Sequence, residues 1–337
     1  MRTYAQVGVD IAKVSKVHKN IETILSKTFE TRKGKLGRVL DIRQHYAGLI
    51  EISKEYALAI HADGVGTKVL VAEALHKYDT VGVDCVAMNV NDIICLGAEP
   101  LALVNYLALE KLRPRLIADV MRGLQRGARE AGVAVVSGET AIMPSVINGF
   151  DLAAAVIGIV RIGRIITGDK TEPGDVILGL RSNGIHSNGL TLARKVLLQG
   201  KPDSATLHEL LRPTRIYVNV ISKLLSSGIK VHGLAHITGG AYSKLRRIGL
   251  RAKVGFQLDN LPEPPRIFKS IQNQGHISDR EMYRTFNMGM GFLIICPRQV
   301  ARRVRRLVPE VKQVGHVTKD HVVSAFLKGR NVDLESY

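Results

Sequence analysis

The sequence predicts a two-domain protein of the α/β or α+β class, and three observations carry that reading. Its 337 residues exceed the roughly 150 expected of one domain and suit two. Short apolar runs alternate with helical patterns in both halves, so each half mixes strands and helices. The polar, turn-rich segment Thr167-Gly168-Asp169-Lys170-Thr171-Glu172-Pro173-Gly174 lies near mid-chain and divides residues 1–168 from 169–337.

Taken in order, residues 57–62 read as a strand. Asp79-Thr80 starts a helix over 81–96 that Gly97 stops, and a strand follows Pro100 through 101–109. Beyond Pro114, the stripe Ile117, Val120, Met121, Leu124 and Ala128 marks a helix ending at Gly132. Residues 133–136 read as a buried strand and 151–160 as another. The second half begins with a strand over 176–180, a loop over 181–188, and a helix over 190–198 closed by Gly200. Pro262, Pro264 and Pro265 mark a long surface loop before a strand over 291–296. Val300, Val304, Leu307 and Val311 then give a helical period, so Arg298, Arg302, Arg303, Arg305 and Arg306 read as its wet face rather than an RNA-binding patch.

Composition narrows the class. Hydrophobic residues make up 45% and charged ones 23%, which excludes fibrous and low-complexity chains. No apolar run approaches the ~18 residues of a membrane span and no signal peptide is evident, so a cytoplasmic protein is expected. Cys85, Cys95 and Cys296 are unpaired in spacing and sit in apolar runs, as reduced core residues do. Lysine and arginine total 48 against 30 acids, a net charge of +18 that points to anionic partners. Aromatic residues are only 5% and tryptophan is absent, which disfavours nucleic-acid binding by base stacking.

Chemistry-bearing residues cluster in a few places. Asp63-Gly64-Val65-Gly66-Thr67-Lys68 follows a strand: its glycines allow close backbone approach to an anion, Lys68 adds charge, and Asp63 can hold a divalent cation. It lacks the Walker A order, and the alternative is a plain glycine turn with a solvated lysine. The helix over 81–96 is apolar except for Asp84, Asn89, Asn91 and Asp92, a stripe that suits magnesium or, alternatively, a wet helix end. Glu139, in Ser137-Gly138-Glu139-Thr140, reads as a carboxylate at a strand's end. The loop Ser182-Asn183-Gly184-Ile185-His186-Ser187-Asn188-Gly189 opens a helix and could receive a phosphate, with His186 able to move a proton near neutral pH; a plain Asn-Gly turn is the alternative. His232 and His236 stand at i, i+4, but no third zinc ligand is evident, and backbone approach of Gly239 and Gly240 to a ligand is favoured. There is no G-x-S-x-G and no dinucleotide fingerprint. Spaced carboxylates, a lysine and glycine loops together suit magnesium-dependent phosphoryl transfer from ATP to an anionic substrate.

These residues resemble one family closely, the phosphoribosylformylglycinamidine cyclo-ligases of purine biosynthesis. The resemblance runs through Tyr4-Ala5-Gln6-Val7-Gly8-Val9-Asp10-Ile11, Asp63 to Lys68, Asp79-Thr80-Val81-Gly82-Val83-Asp84, Val90-Asn91-Asp92 and Gly97-Ala98-Glu99-Pro100. It continues through Gly138-Glu139-Thr140-Ala141, His186-Ser187-Asn188-Gly189, Pro213-Thr214-Arg215-Ile216-Tyr217, His236-Ile237-Thr238-Gly239-Gly240 and Met282-Tyr283-Arg284-Thr285-Phe286-Asn287. It implies an N-terminal mixed-sheet domain that binds ATP and metal and builds a barrel across a homodimer, and a C-terminal α/β sandwich on the substrate side. It also implies conversion of formylglycinamidine ribonucleotide and ATP to aminoimidazole ribonucleotide, ADP and phosphate. The expected cofactors are ATP and Mg2+; the expected partners are the phosphorylated ribonucleotide and a second copy of the chain, with neither membrane nor specific nucleic acid.

By this match Asp63, Asp92 and Glu139 hold magnesium. Asp63, Gly64, Gly66, Thr67, Lys68, Asp84, Asn91, Gly34, Lys35, Gly239 and Gly240 contact nucleotide or line the site, and His186, Lys68 and Asn188 serve catalysis. The glycine loop before the first strand is poorer than is usual in the family, reading Lys33-Gly34-Lys35-Leu36-Gly37-Arg38, so its basic residues take over part of the phosphate contact. Ile142, Ser137 and Ala241 replace a usual glutamate and two glycines. Competing readings are thiamine-monophosphate kinase on the same scaffold and a basic RNA-binding protein. A maturation dehydratase would end in a reactive cysteine and selenophosphate synthetase would carry one near its start, and neither is present.

Overall fold

A computed structural model describes Val17 and residues 20–42, 45–199 and 203–334. The Tyr4 to Ile11 motif and Gly200 lie outside the described residues. In chain order the first half runs β1 (Arg38–Leu40), β2 (Gly48–Glu51), β3 (Tyr56–Gly64), α1 (Val69–Leu75), α2 (Asp79–Ile94), β4 (Glu99–Leu109), α3 (Pro114–Ala131), β5 (Ala134–Ile142) and β6 (Phe150–Arg161). Its strands form one six-stranded sheet in the order β1-β2-β3-β6-β4-β5. All neighbours are antiparallel except β4 and β5, which are parallel, so the sheet is mixed.

The second half continues with β7 (Val176–Arg181), α4 (Leu190–Leu197), α5 (Ser204–Leu211), α6 (Val218–Ser226), β8 (Gly233–His236), α7 (Leu245–Ala252), β9 (Gly255–Leu258), α8 (Arg266–Gly275), α9 (Asp279–Thr285), β10 (Met290–Cys296), α10 (Arg298–Leu307), β11 (Lys312–Thr318), β12 (Val323–Leu327) and β13 (Arg330–Asp333). Its seven strands order as β13-β12-β9-β11-β7-β10-β8. The molecule is therefore mixed α/β, with one sheet in each half.

Local sequence explains the elements. β6 alternates buried and open residues, as a half-covered strand must. In α3, Leu116, Val120, Leu124 and Ala128 form the buried stripe, and Gly132 closes the helix in the left-handed conformation. α2 and α3 cross at Gly82 and Gly123, where a Cβ on Gly123 would lie 2.0 Å from Asp79 O and one on Gly82 2.4 Å from Val120 O. Only glycine lets the two backbones meet there. In α10, Ala301 and Val304 are buried while its arginines stay exposed, as the helical period required. The three cysteines are free and buried.

Two expectations change. The strand expected to be buried over 133–136 runs on to Ile142, and Val136 is 63% exposed. It is the sheet's edge, and helices cover only the opposite face. On the open face Ile60 pairs with Ile157, while Val104 and Tyr106 continue the apolar surface. His232 and His236 belong to an extended segment rather than a helix, which separates them instead of pairing them.

Candidate active site

α2 is the scaffold of the site. Every residue from Thr80 to Ile94 is buried, because α3, the first sheet, α6 and β8 all pack on the helix. A polar side chain in such a helix must find partners, and the four in the stripe do. Asp84 Oδ1 accepts hydrogen bonds from Lys68 Nζ at 2.8 Å, Ser187 Oγ at 3.0 Å and Thr214 N at 2.7 Å. Its Oδ2 is buried without a hydrogen bond. Asn89 exchanges two hydrogen bonds with the backbone of Asp63, each 3.1 Å. Asn91 donates to Arg215 O at 2.8 Å and accepts from Tyr217 N at 2.9 Å. Asp92 Oδ1 accepts from His236 Nδ1 at 2.6 Å, and its Oδ2 lies 3.6 Å from His61 Nε2.

The stripe thus has two jobs. Asp84 and Asn91, expected at the nucleotide, bind residues of the second half and stitch the two sheets' domains together. Lys68 joins them: it is wholly buried and donates to Asp84 and, at 2.6 Å, to Arg212 O. An ammonium held this way does not face an incoming phosphate. Burial lowers its pKa, with the Asp84 carboxylate opposing.

Asp92 and Asp63 form the other part. Burial and then the charge of Asp92 raise Asp63, the signature of two carboxylates crowded together. Burial opposes ionisation of Asp92 too, but Lys244 and His236 hold it well below the usual carboxylate range. Two carboxylates brought together offer the hard oxygen donors that magnesium takes, so Asp63 and Asp92 fit that ion. Lys244 faces both carboxylates, donates to Thr238 Oγ1, and lies 5.1 Å over the Tyr46 ring, which Arg247 also approaches.

Glu139 is not brought to this pair within the chain. It sits inside β5 rather than at a strand's end, and register runs Glu139, Tyr106, Ala153, Gly64 across the sheet. Three strand spacings are roughly 14 Å. It also shares the open face with Tyr106, whereas Asp63, one residue from Gly64, faces α2.

The loop after β7 comes close to the stretch after β8. His186 adopts φ +63°, and its Nε2 lies 3.1 Å from Asn183 Oδ1. Burial, then the charges of His236, Lys68 and Arg215, push it well below the usual imidazole range, which favours the neutral ring near pH 7. His186 Nδ1 and Asn188 Nδ2 are buried polar atoms with no hydrogen-bond partner. A Cβ on Gly239 would lie 2.9 Å from Asn188 Oδ1, so that backbone approaches Asn188 as closely as glycine permits. Gly66 and Gly240 take positive φ, Gly64 ends β3, and Thr67 Oγ1 lies 3.2 Å from Thr191 Oγ1. Around Gly34 the contacts are local: Lys35 donates to Thr31 O, and Lys33 pairs with Glu30.

Sequence reading missed His61, Lys244 and Arg247. His61 lies two residues before Asp63 on the same strand, hence on the same face. Lys244 and Arg247 belong to the basic run that follows Gly239-Gly240.

A fold with two mixed α/β halves and carboxylates at their junction defines the class. Residues 44–160 match the N-terminal domain of AIR synthase related proteins, and 172–328 match their C-terminal domain. Solved structures with the same fold include AaThiL complexed with AMPPCP and TMP (TM-score 0.67, 17% identity, 94% of this chain and 93% of that one). A HypE-HypF complex matches at TM-score 0.65 with 19% identity, over 85% and 92% of the two chains. Within that class the chain belongs to the phosphoribosylformylglycinamidine cyclo-ligase family. It is 53% identical to the cyclo-ligase of Pyrococcus furiosus over 89% of both chains. To that of Methanothermobacter thermautotrophicus it is 45% identical over 100% of this chain and 98% of the relative.

Proposed function

We propose that the chain closes the imidazole ring of aminoimidazole ribonucleotide, using formylglycinamidine ribonucleotide and ATP and releasing ADP and phosphate. The observation that carries this is identity of 45–53% to cyclo-ligases across both domains. In this reaction the formyl-amide oxygen attacks the terminal phosphorus of ATP, ADP leaves, and the phosphorylated oxygen becomes a leaving group. The amidine nitrogen then attacks that carbon, phosphate departs, and proton loss gives the ring.

Asp63 and Asp92 would hold magnesium, which when bound neutralises charge on the transferring phosphate. Lys244, rather than the buried Lys68, supplies the protein's cation beside that pair. The unpartnered His186 Nδ1 and Asn188 Nδ2 support a substrate-side role for this loop: a bound substrate satisfies them, and His186 orients by hydrogen bonding as a neutral ring. Residues 1–168 serve ATP, metal and dimerisation, and 169–337 the substrate side. The apolar open face of the first sheet supports a homodimer whose sheets close into a barrel, from which Glu139 completes the metal set. Among the described residues no helix is long and apolar enough to cross a membrane, and we place the enzyme in the cytoplasm.

The test is to supply formylglycinamidine ribonucleotide, ATP and magnesium and follow ADP and the aminoimidazole together. Equal amounts of both support the reading. ADP without the imidazole points instead to a kinase relative, and the absence of both products overturns the reading.

A further inference from the structure

Among the described residues, one group of histidine and acidic side chains brings its ligand atoms together: Glu172, Asp175 and His232, all within 4.8 Å of one another. It lies away from the reaction site. His232 precedes β8 by one residue, and His236 is four residues on, roughly 13 Å along an extended chain. The turn that carries Glu172 and Asp175 links the two halves and leads directly into β7.

Both segments are fixed. Asp175 N donates to Glu172 O at 3.1 Å, and Glu172 N donates to Asp175 Oδ2 at 3.1 Å. His232 N donates to Ile295 O at 2.8 Å, which ties it to β10. Asp175 is only 2% exposed, while Glu172 is open to solvent, so the group is buried on one side and accessible on the other. His232 Nδ1 lies 2.7 Å from Asp175 Oδ2. A second observation comes from Thr171, the residue before Glu172. Its hydroxyl is buried without a hydrogen-bond partner and lies 3.5 Å from where a Cβ on Gly233, next to His232, would sit. An unsatisfied oxygen therefore stands between the same two segments.

We propose that Glu172, Asp175 and His232 form a zinc site that pins the interdomain turn to β8. Two carboxylates against one imidazole leave an excess of negative donors, which suits a divalent ion. A ring nitrogen and two carboxylates converge here within 4.8 Å of one another, and zinc takes nitrogen and carboxylate donors with water completing the tetrahedron, whereas magnesium prefers oxygens alone. Ligation through Nδ1 leaves the ring proton on Nε2, and zinc uptake weakens as pH falls because protons compete for the ring and the carboxylates.

The experiment uses the full chain, stripped with chelator and then titrated with zinc in excess magnesium against a chromophoric competitor. Wild type and Asp63→Asn should each take one zinc per chain at this site and gain thermal stability. His232→Gln and the exposed Glu172→Gln each remove a ligand and should bind it at least about 10- to 100-fold more weakly, the loss seen when even an outer-shell partner goes, with no stability gain at stoichiometric zinc. Glu172→Gln removes no buried contact, so its loss of binding cannot be ascribed to misfolding. The proposal falls if wild type takes up no zinc, if either ligand variant binds as wild type does, or if Asp63→Asn alone abolishes uptake.

Discussion

Lys68 and Asp84 lie 2.8 Å apart, and neither side chain exposes any surface to solvent. One comes from the loop after the first sheet's third strand and the other from the central helix. Through Arg212 O, Thr214 and Ser187 their charges reach into the second half. The pair is the polar centre of the junction between domains. Removing one partner leaves a buried charge, which costs about 3–5 kcal/mol. Lys68→Met and Asp84→Asn should therefore each lower the urea midpoint sharply, and the double variant should lose less than the sum. Recovery should stay incomplete, because Thr214 N and Ser187 Oγ also depend on Asp84.

Gly291 faces Tyr217 and His186. A Cβ there would fall 1.9 Å from Tyr217 Oη and 2.8 Å from His186 Cε1. Gly291→Ala should cost about 1–3 kcal/mol by overpacking and displace the substrate-side loop. Raised KM for the ribonucleotide with ATP binding unchanged would be the kinetic sign.

His45 and His186 are both held neutral. Burial, then Arg251 and Arg247, bring His45 down to about 3, and His186 lies well below its ordinary value. In the unfolded chain both protonate near 6.5. Between the folded and unfolded values the unfolded state binds more protons, so stability is complete above about pH 6.5 and falls as pH drops below it. At pH 5 the loss should reach up to about 2 kcal/mol for each histidine. Urea melts at pH 5 and 7.5 check this, and His45→Gln should flatten part of the slope.

The open face of the first sheet should bind a second copy. Tyr106 and Val136 are exposed there, and a charge at either position opposes burial against a partner. Tyr106→Glu and Val136→Lys should shift the protein from dimer to monomer in light scattering while leaving its circular dichroism unchanged.

Much of this was legible in the sequence. The period of α3, the caps at Gly97 and Gly132, and the strands β3, β6, β7 and β10 follow from apolar spacing and turn chemistry. The polar stripe of α2 was visible, but not its division of labour. Spacing places Asp84 and Asn91 on one face without revealing that Thr214, Arg215 and Tyr217 of the other half cover that face. Lys68 looked like a phosphate ligand because a glycine loop precedes it; only tertiary packing shows it enclosed. The exposure of β5 was hidden for a related reason, since an apolar strand reads the same whether or not a helix covers it. Lys244 was missed because its carboxylate partners lie more than 150 residues away in sequence.

The division of α2 and its neighbours into a metal-binding pair and a structural stitch is tested most directly by calorimetric titration of magnesium in the presence of ATP. Asp63→Asn and Asp84→Asn should be compared with the parent chain. Asp63→Asn should keep its thermal stability and lose magnesium-dependent ATP binding. Asp84→Asn should lose stability yet bind magnesium and ATP at temperatures where it is folded. The reverse pattern, with Asp84→Asn losing the metal and Asp63→Asn binding it normally, would contradict the assignment.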